Sequence, residues 1–298
     1  MKVVITSDSS SSLLYAPFKH HIKITNTTIR FGEEVYMDGV NITADSFYEK
    51  LSQANIIPTT AAPAPDEIIN KTNELIKEGY TDIIHFPISF ALSSYGENLI
   101  NLKDEYFPEI NYNVFNCRTG AIMEAYCAHY AEILADNDYN VEEIFEDCEK
   151  FVNASATYLI VDDLNYLVKN GRLNSTSGFI GGLMKIKPIL KLDAKGTIDP
   201  FEKVRTHNKA VDRMIELVKN DTKDAKRIIL VVQHSELLDE AKVLKERCLK
   251  EIPNIVKTSV TTISPTIGCH IGSHVISLGY IILDDLKEAD ILALSVIE

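Results

Sequence analysis

The sequence predicts an α/β protein in two parts: a mostly parallel sheet with its helices in residues 1–152, and a second α/β domain containing a hairpin in residues 153–298. Three observations carry this. Short apolar runs alternate with helical patterns through the first half. The pattern changes character near Val152. Two apolar runs then flank Lys195-Gly196, a turn signal between paired strands. A length of 298 residues with 45% hydrophobic composition supplies core for one large or two medium domains.

In chain order, KVVIT reads as a strand running into the hydroxyl-rich SDSSSS. From Pro65 to Gly79, the spacing of Ile68, Ile69, Leu75 and Ile76 predicts a helix capped by Gly79. TDIIHFPI is a buried strand, Ser93 to Tyr106 a helix, YNVFN a strand, and Thr119 to Ala135 a helix rich in Ala and aromatics. In such an alternation, sites form at the C-terminal ends of the strands. In the second half, ATYLIVDDL is a strand entering a helix that stops at Asn170-Gly171, and GFIGGLMKI is apolar and glycine-dotted. KPILKLDAKGTIDPFEKVR is the hairpin, and His207 to Asn220 an amphipathic helix. RIILVVQH is a strand and Leu237 to Ile252 a helix with a charged face. IVKTSVTTIS and VISLGYIIL are strands around an IGCHIGSH loop, and the last dozen residues form a helical extension.

Composition excludes several classes. A net charge of −13 opposes nucleic-acid binding, which needs Lys and Arg to neutralise phosphates, and opposes a polybasic membrane anchor. The N-terminal apolar run is too short for a signal peptide. No segment reaches the roughly 20 apolar residues of a membrane span. The five cysteines, at 117, 127, 148, 248 and 269, are odd in number, widely spaced and without C-x-x-C, which fits a reducing cytoplasm.

Three hydroxyl-bearing turns follow strands: Thr6-Ser7-Asp8-Ser9, Thr59-Thr60, and Ser89 with Ser93-Ser94. Hydroxyls and backbone N–H groups converging on a crevice suit an anionic oxygen group. The plainer reading is that they cap helices, Ser93 before its helix and Thr60 ahead of Pro63. His270 and His274 stand four apart, but Gly268 and Gly272 argue for a loop and no carboxylate lies among them, so no metal is expected. Neither G-x-S-x-G nor a nucleotide-binding glycine motif occurs. Residues 164–205 hold eight Lys and Arg against three acids, either a solvated hairpin face or a docking patch for an acidic or phosphorylated group.

Read together, these segments resemble the DegV family. The resemblance lies in the opening VVITSDSSSSL, then PTTAAPAPDE, ISFALSSYGENL, VDDLNYLVKNGRL, GGLMKIKPIL, KVRTHNKA and TIGCHIGSH, in the family's order over nearly the whole chain. The sequence departs from the family pattern at Ala61-Ala62, Ser94-Tyr95, Asn116-Cys117, Asn170 and Ser273-His274, which thins the polar shell around the motif hydroxyls.

The resemblance implies a two-domain, DegV-like carrier, not an enzyme, that binds a long-chain fatty acid without cofactor or metal. It implies presentation of the carboxyl group to a separate fatty acid kinase subunit, delivery of the acyl phosphate to phospholipid synthesis, and room for transient membrane contact. By motif position, Thr60 and Ser93 would bind the carboxylate and His270 would lie beside it. Arg172 and Arg205 would fall on the kinase-facing surface, and the C-terminal domain would cover the acyl chain, with the apolar run from Phe179 to Ile189 as a candidate tunnel wall. Burying about sixteen methylenes at ~0.8 kcal/mol each gives a gross ~13 kcal/mol, against about 1.5–3 kcal/mol for each hydrogen bond to the carboxylate, so the tail supplies affinity and the hydroxyls orientation. Two other functions stay open: a hydrolase or acyltransferase with Ser93 as nucleophile and His270 as base, and a kinase-independent binder of another amphipathic anion.

Overall fold

The computed structural model describes residues 2–108, 110–173 and 187–297. The first half runs β1 (Val3–Asp8), β2 (Lys23–Thr25), β3 (Thr28–Phe31), β4 (Glu34–Met37), α1 (Ala44–Gln53), β5 (Thr59–Ala61), α2 (Pro65–Lys77), β6 (Asp82–Phe86), α3 (Tyr95–Tyr106), β7 (Asn111–Val114), α4 (Ile122–Asp136) and α5 (Val141–Asn153). The second runs β8 (Ser155–Ile160), α6 (Asn165–Lys169), β9 (Lys187–Leu192), β10 (Ile198–Val204), α7 (His207–Asp221), β11 (Ile228–His234), α8 (Leu238–Glu251), β12 (Ile255–Thr262), α9 (Pro265–Ile271), β13 (Ile276–Ile282) and α10 (Ala289–Ser295).

The predicted parallel sheet is present, in the order β2-β1-β6-β7 with every pairing parallel. All five residues of β6 are buried, including Asp82 and His85, as a strand between two helical layers requires. The second sheet has six strands, in the order β10-β9-β8-β13-β11-β12, and only β11–β12 is parallel. Its β9–β10 pair is the predicted hairpin, with a register shift between Pro200 and Glu202. A third sheet, β4-β3-β5, is antiparallel and was not anticipated.

Helix α4 lies between the two main sheets. Thirteen of its residues are buried, which explains an Ala-rich, aromatic sequence with no polar face. Its core joins Ile84 and Phe86 of the first sheet to Ile229, Val231 and Ile281 of the second, and α10 returns to pack on it through Leu292 and Ala293. The opposite face of the second sheet packs on α7 and α8 through Ile160, Met214, Leu230, Leu244 and Leu278.

One element contradicts the sequence reading. IGCHIGSH is not wholly a loop, because residues up to Ile271 continue helix α9, which starts at Ser264-Pro265. Gly268 is a packing glycine: a Cβ there would lie 2.6 Å from the Phe47 ring and 2.8 Å from Tyr48 Oη, so its absence lets α1 and α9 meet. The run 179–186, which holds most of the candidate tunnel wall, lies outside the described residues.

Candidate functional site

The C-terminal ends of β1, β6 and β7 face the second sheet across a cavity of about 130 Å³. A single buried water needs roughly 10–15 Å³, so this space is ligand-sized, whereas two other cavities among the described residues, about 20 and 10 Å³, hold a water or so each. Thr60, Ser93, His270 and Arg172 all reach its wall. Arg205 does not; it is exposed just after β10. Much of the remaining wall is apolar, including Leu159, Leu167, Leu192, Ile263, Ile267 and Val275.

Thr60 is not a helix cap. It sits in β5, paired with Ile29, while the N-cap of α2 is Ala64. Its hydroxyl lies 2.8 Å from His270 Nε2. Burial and the neighbouring Arg172 push the His270 pKa down to about 4, so the ring is neutral at pH 7. His270 Nδ1 is buried without a partner among the described residues. An unpaired acceptor is better tolerated than an unpaired N–H. The favoured tautomer therefore carries its proton on Nε2 and donates it to Thr60 Oγ1, leaving the threonine hydroxyl free to donate to a ligand anion.

Ser93 lies in the turn before α3, where its Oγ accepts from Tyr95 N–H at 3.2 Å, so it is a turn-stabilising hydroxyl as well as a wall residue. Tyr95, one of the departures from the family pattern, also lines the cavity, with its hydroxyl 3.4 Å from Thr25 Oγ1. Arg172 is half-buried rather than exposed. Its Nε donates to Leu92 O at 3.1 Å and its terminal nitrogen to Asn170 O, tying the turn after α6 to the turn carrying Ser93. It is the one cation of the cavity wall among the described residues.

Two lysines of the basic stretch form ion pairs. Lys187 meets Asp162, and Lys191 meets Asp221 at 3.7 Å with its ammonium over the Tyr158 and Phe201 rings. His274 is exposed and lies outside α9, whereas His270 lies within it.

The SDSSSS turn behaves differently from expectation. Ser7, Ser9, Ser11 and Ser12 point into the structure; only Asp8 and Ser10 reach the cavity. Asp8 Oδ1 accepts Ser10 N–H at 2.8 Å, while Oδ2 has no partner among the described residues. Burial raises the Asp8 pKa to about 6. Behind it, Glu124 on α4 is fully buried and held by Ser7 and Ser10 at 3.2 Å; burial and then Asp8 push its carboxyl well up. Asp38 accepts from Thr266 N–H at 2.9 Å and is likewise raised to about 6 by burial. Sequence reasoning missed these acids. Asp8 stood in the first turn, but Asp38 and Glu124 are remote in sequence and carried no motif.

His270 engages Thr60 rather than Ser93, and no carboxylate among the described residues bonds its Nδ1. What remains, among the described residues, is a mostly apolar chamber whose polar wall holds hydroxyls, a neutral imidazole, the Arg172 cation and the Asp8 carboxyl, a shape suited to an amphipathic ligand.

Comparison with known proteins agrees with this geometry. The chain is 29% identical over 283 residues to a DegV domain-containing protein of Staphylococcus aureus (strain COL), covering 94% of this chain and 98% of that protein. Its fold matches the fatty acid binding DegV family protein of Streptococcus agalactiae with a TM-score of 0.85 at 27% identity, covering 94% of this chain and 99% of the other. It also matches the fold of the Streptococcus pneumoniae fatty acid kinase B3 protein loaded with linoleic acid, with a TM-score of 0.80 at 21% identity over 95% of this chain and 100% of that one. The family model described as "Uncharacterised protein, DegV family" matches residues 2–283, and the chain belongs to the DegV family.

Proposed function

We propose that this protein is a carrier that holds one long-chain fatty acid in the cavity between its two halves. The carboxylate sits at the Thr60–Ser93–His270 end, and the acid is presented there to a separate kinase subunit for acyl phosphate formation. The observation that carries the reading is the convergence of these three side chains and Arg172 on one apolar chamber. The fatty acid bound by the Streptococcus agalactiae relative supports the ligand class. The domain of residues 153–298 contributes Leu159, Leu167, Leu192 and Val275, which would cover the chain, and the domain of residues 1–152 contributes the hydroxyls. Arg172 can pair in two-pronged fashion with the carboxyl or with the phosphate formed on it. Arg205 is free of the cavity and exposed, where a partner subunit could meet it. The reading is tested by denaturing extraction and lipid mass spectrometry of freshly purified protein. One fatty acid per chain is expected; a lipid-free protein that takes up no added long-chain acid overturns it.

A further inference from the structure

The face of the second sheet that meets α4 is largely apolar, with Ile229, Val231 and Ile281 in one packed group and Leu159 and Val275 in another. Polar side chains interrupt it: Ser259 bonds Tyr126 of α4 at 3.1 Å and Thr261 stands in register with Gln233, but the three that reach the cavity are Gln233, Ser277 and Thr157. Gln233 pairs in register with Ser277 across β11 and β13, and Thr157 of β8 pairs with Gly279, two residues further along β13. In-register neighbours point to the same side of a sheet, and all three line the cavity. Ser277 is 3% exposed, and its Oγ has no hydrogen-bond partner among the described residues. Gln233 is 4% exposed and spends its carbonyl oxygen on Ile122 N–H, at 3.3 Å, so the donor end of its amide remains for the cavity.

A plain alkyl chain laid over this wall would leave the Ser277 hydroxyl unpaired, and an unmade buried hydrogen bond is costly. None of the three groups is charged, so a second carboxylate or a phosphate would find no countercharge there. A neutral oxygen that both donates and accepts fits all three. We infer that Ser277, Gln233 and Thr157 form a second polar subsite inside the cavity that selects acyl chains bearing a hydroxyl group, an inference that rests on the fatty-acid-carrier reading. The subsite would recognise the substituent while the Thr60 end holds the carboxylate. A hydroxylated chain would thereby satisfy Ser277 and gain affinity over its unsubstituted parent.

The test is competition for the delipidated full-length protein. A fluorescent long-chain fatty acid is displaced by octadecanoic acid or by each of a positional set of mono-hydroxyoctadecanoic acids. At least one isomer is expected to bind about tenfold more tightly than octadecanoic acid, the order that one hydrogen bond to an otherwise unpaired buried group supplies. In Ser277→Ala, the ratio between that isomer and octadecanoic acid is expected to fall to within about twofold of one. Equal binding of octadecanoic acid and every isomer overturns the subsite and leaves the carrier intact. So does a preference that survives Ser277→Ala. Failure of all these acids to bind overturns the carrier reading and the subsite together.

Discussion

Replacing Thr60 with valine separates the binding role of this residue from a purely structural one. The two side chains have nearly the same shape, so the change removes a hydroxyl and little volume. In the wild type, His270 Nε2 sits 2.8 Å from Thr60 Oγ1, and the neutral ring donates to that oxygen. Valine therefore removes the donor offered to the carboxylate and also strands an imidazole N–H. The first loss is a charge-assisted hydrogen bond worth about 1.5–3 kcal/mol, which lowers fatty acid affinity roughly 10- to 100-fold. The second costs about 1–3 kcal/mol of stability, read as a lower urea midpoint at unchanged slope. Affinity is measured by displacement of a fluorescent fatty acid, with circular dichroism to confirm the fold. If Thr60→Val binds as tightly as wild type while its urea midpoint falls, the hydroxyl serves only to hold His270 and the assigned head-group site is wrong.

Two further perturbations address the joint between the halves. Arg172→Ala is expected to raise the His270 pKa part of the way from about 4, since burial, the larger cause, remains and only the neighbouring charge is removed, and to slow acyl phosphate formation with a cognate kinase at matched lipid loading. Equal phosphorylation rates across a salt series would remove Arg172 from the partner site. Gly196→Ala is expected to destabilise the protein by about 2 kcal/mol or more in urea unfolding. Gly196 has φ +77°, and a Cβ there would come within 2.1 Å of Ser89 Oγ and 3.0 Å of Arg118 Cα, against the bond from Ser89 Oγ to Gly196 O at 2.8 Å. An unchanged midpoint would mean that the hairpin tip is free to move away from the first half.

Strands β1, β6 and β7 of the parallel sheet were legible, β1 and β6 because burial on both faces favours runs as apolar as VVIT and the IIHF of DIIHF; β2, three residues long, was not read. Strand β5 was not legible: Thr59–Ala61 is three residues long with an exposed–intermediate–exposed pattern, and only its long-range pairing with β3 makes it a strand. The placement of Thr60 opposite His270, 210 residues away, depends on that pairing and on α9. Helix α9 was hidden by its glycines, which usually break helices; here Phe47 and Tyr48 occupy the space a side chain at 268 would need. Arg172 was read as exposed from its glycine turn, because nothing local announces that its side chain crosses to Leu92 O. Glu124 sits in a helix whose complete burial follows from tertiary packing, so its carboxyl reads as an ordinary surface group until both sheets are in place.

The buried acids determine how the cavity can accept an anion. Around the polar end lie Asp8, Glu124 and Asp38, with Tyr95, neutral His270 and the cationic Arg172. The Asp8 pKa is about 6 in the folded protein against 3.8 in the unfolded chain, so the folded state holds that proton more tightly. The sign follows: this group's contribution favours the fold at acid pH and is lost as pH rises between about 4 and 6, by roughly 3 kcal/mol at most. In Asp8→Asn the loss is absent, so the stability difference, mutant minus wild type, is expected to grow in the mutant's favour across that interval. A ligand carboxylate in the same cavity repels ionised Asp8 and raises its pKa further, so binding at neutral pH takes up a proton. Fatty acid affinity of the wild type is therefore expected to fall several-fold from about pH 5.5 to pH 8, and that of Asp8→Asn to fall less, Asp38 still titrating in that interval. Binding isotherms in buffers of different ionisation enthalpy report the proton uptake directly. A wild-type affinity that falls no more with pH than that of Asp8→Asn would place the head group out of electrostatic reach of Asp8 and move the carboxylate site elsewhere along the cavity.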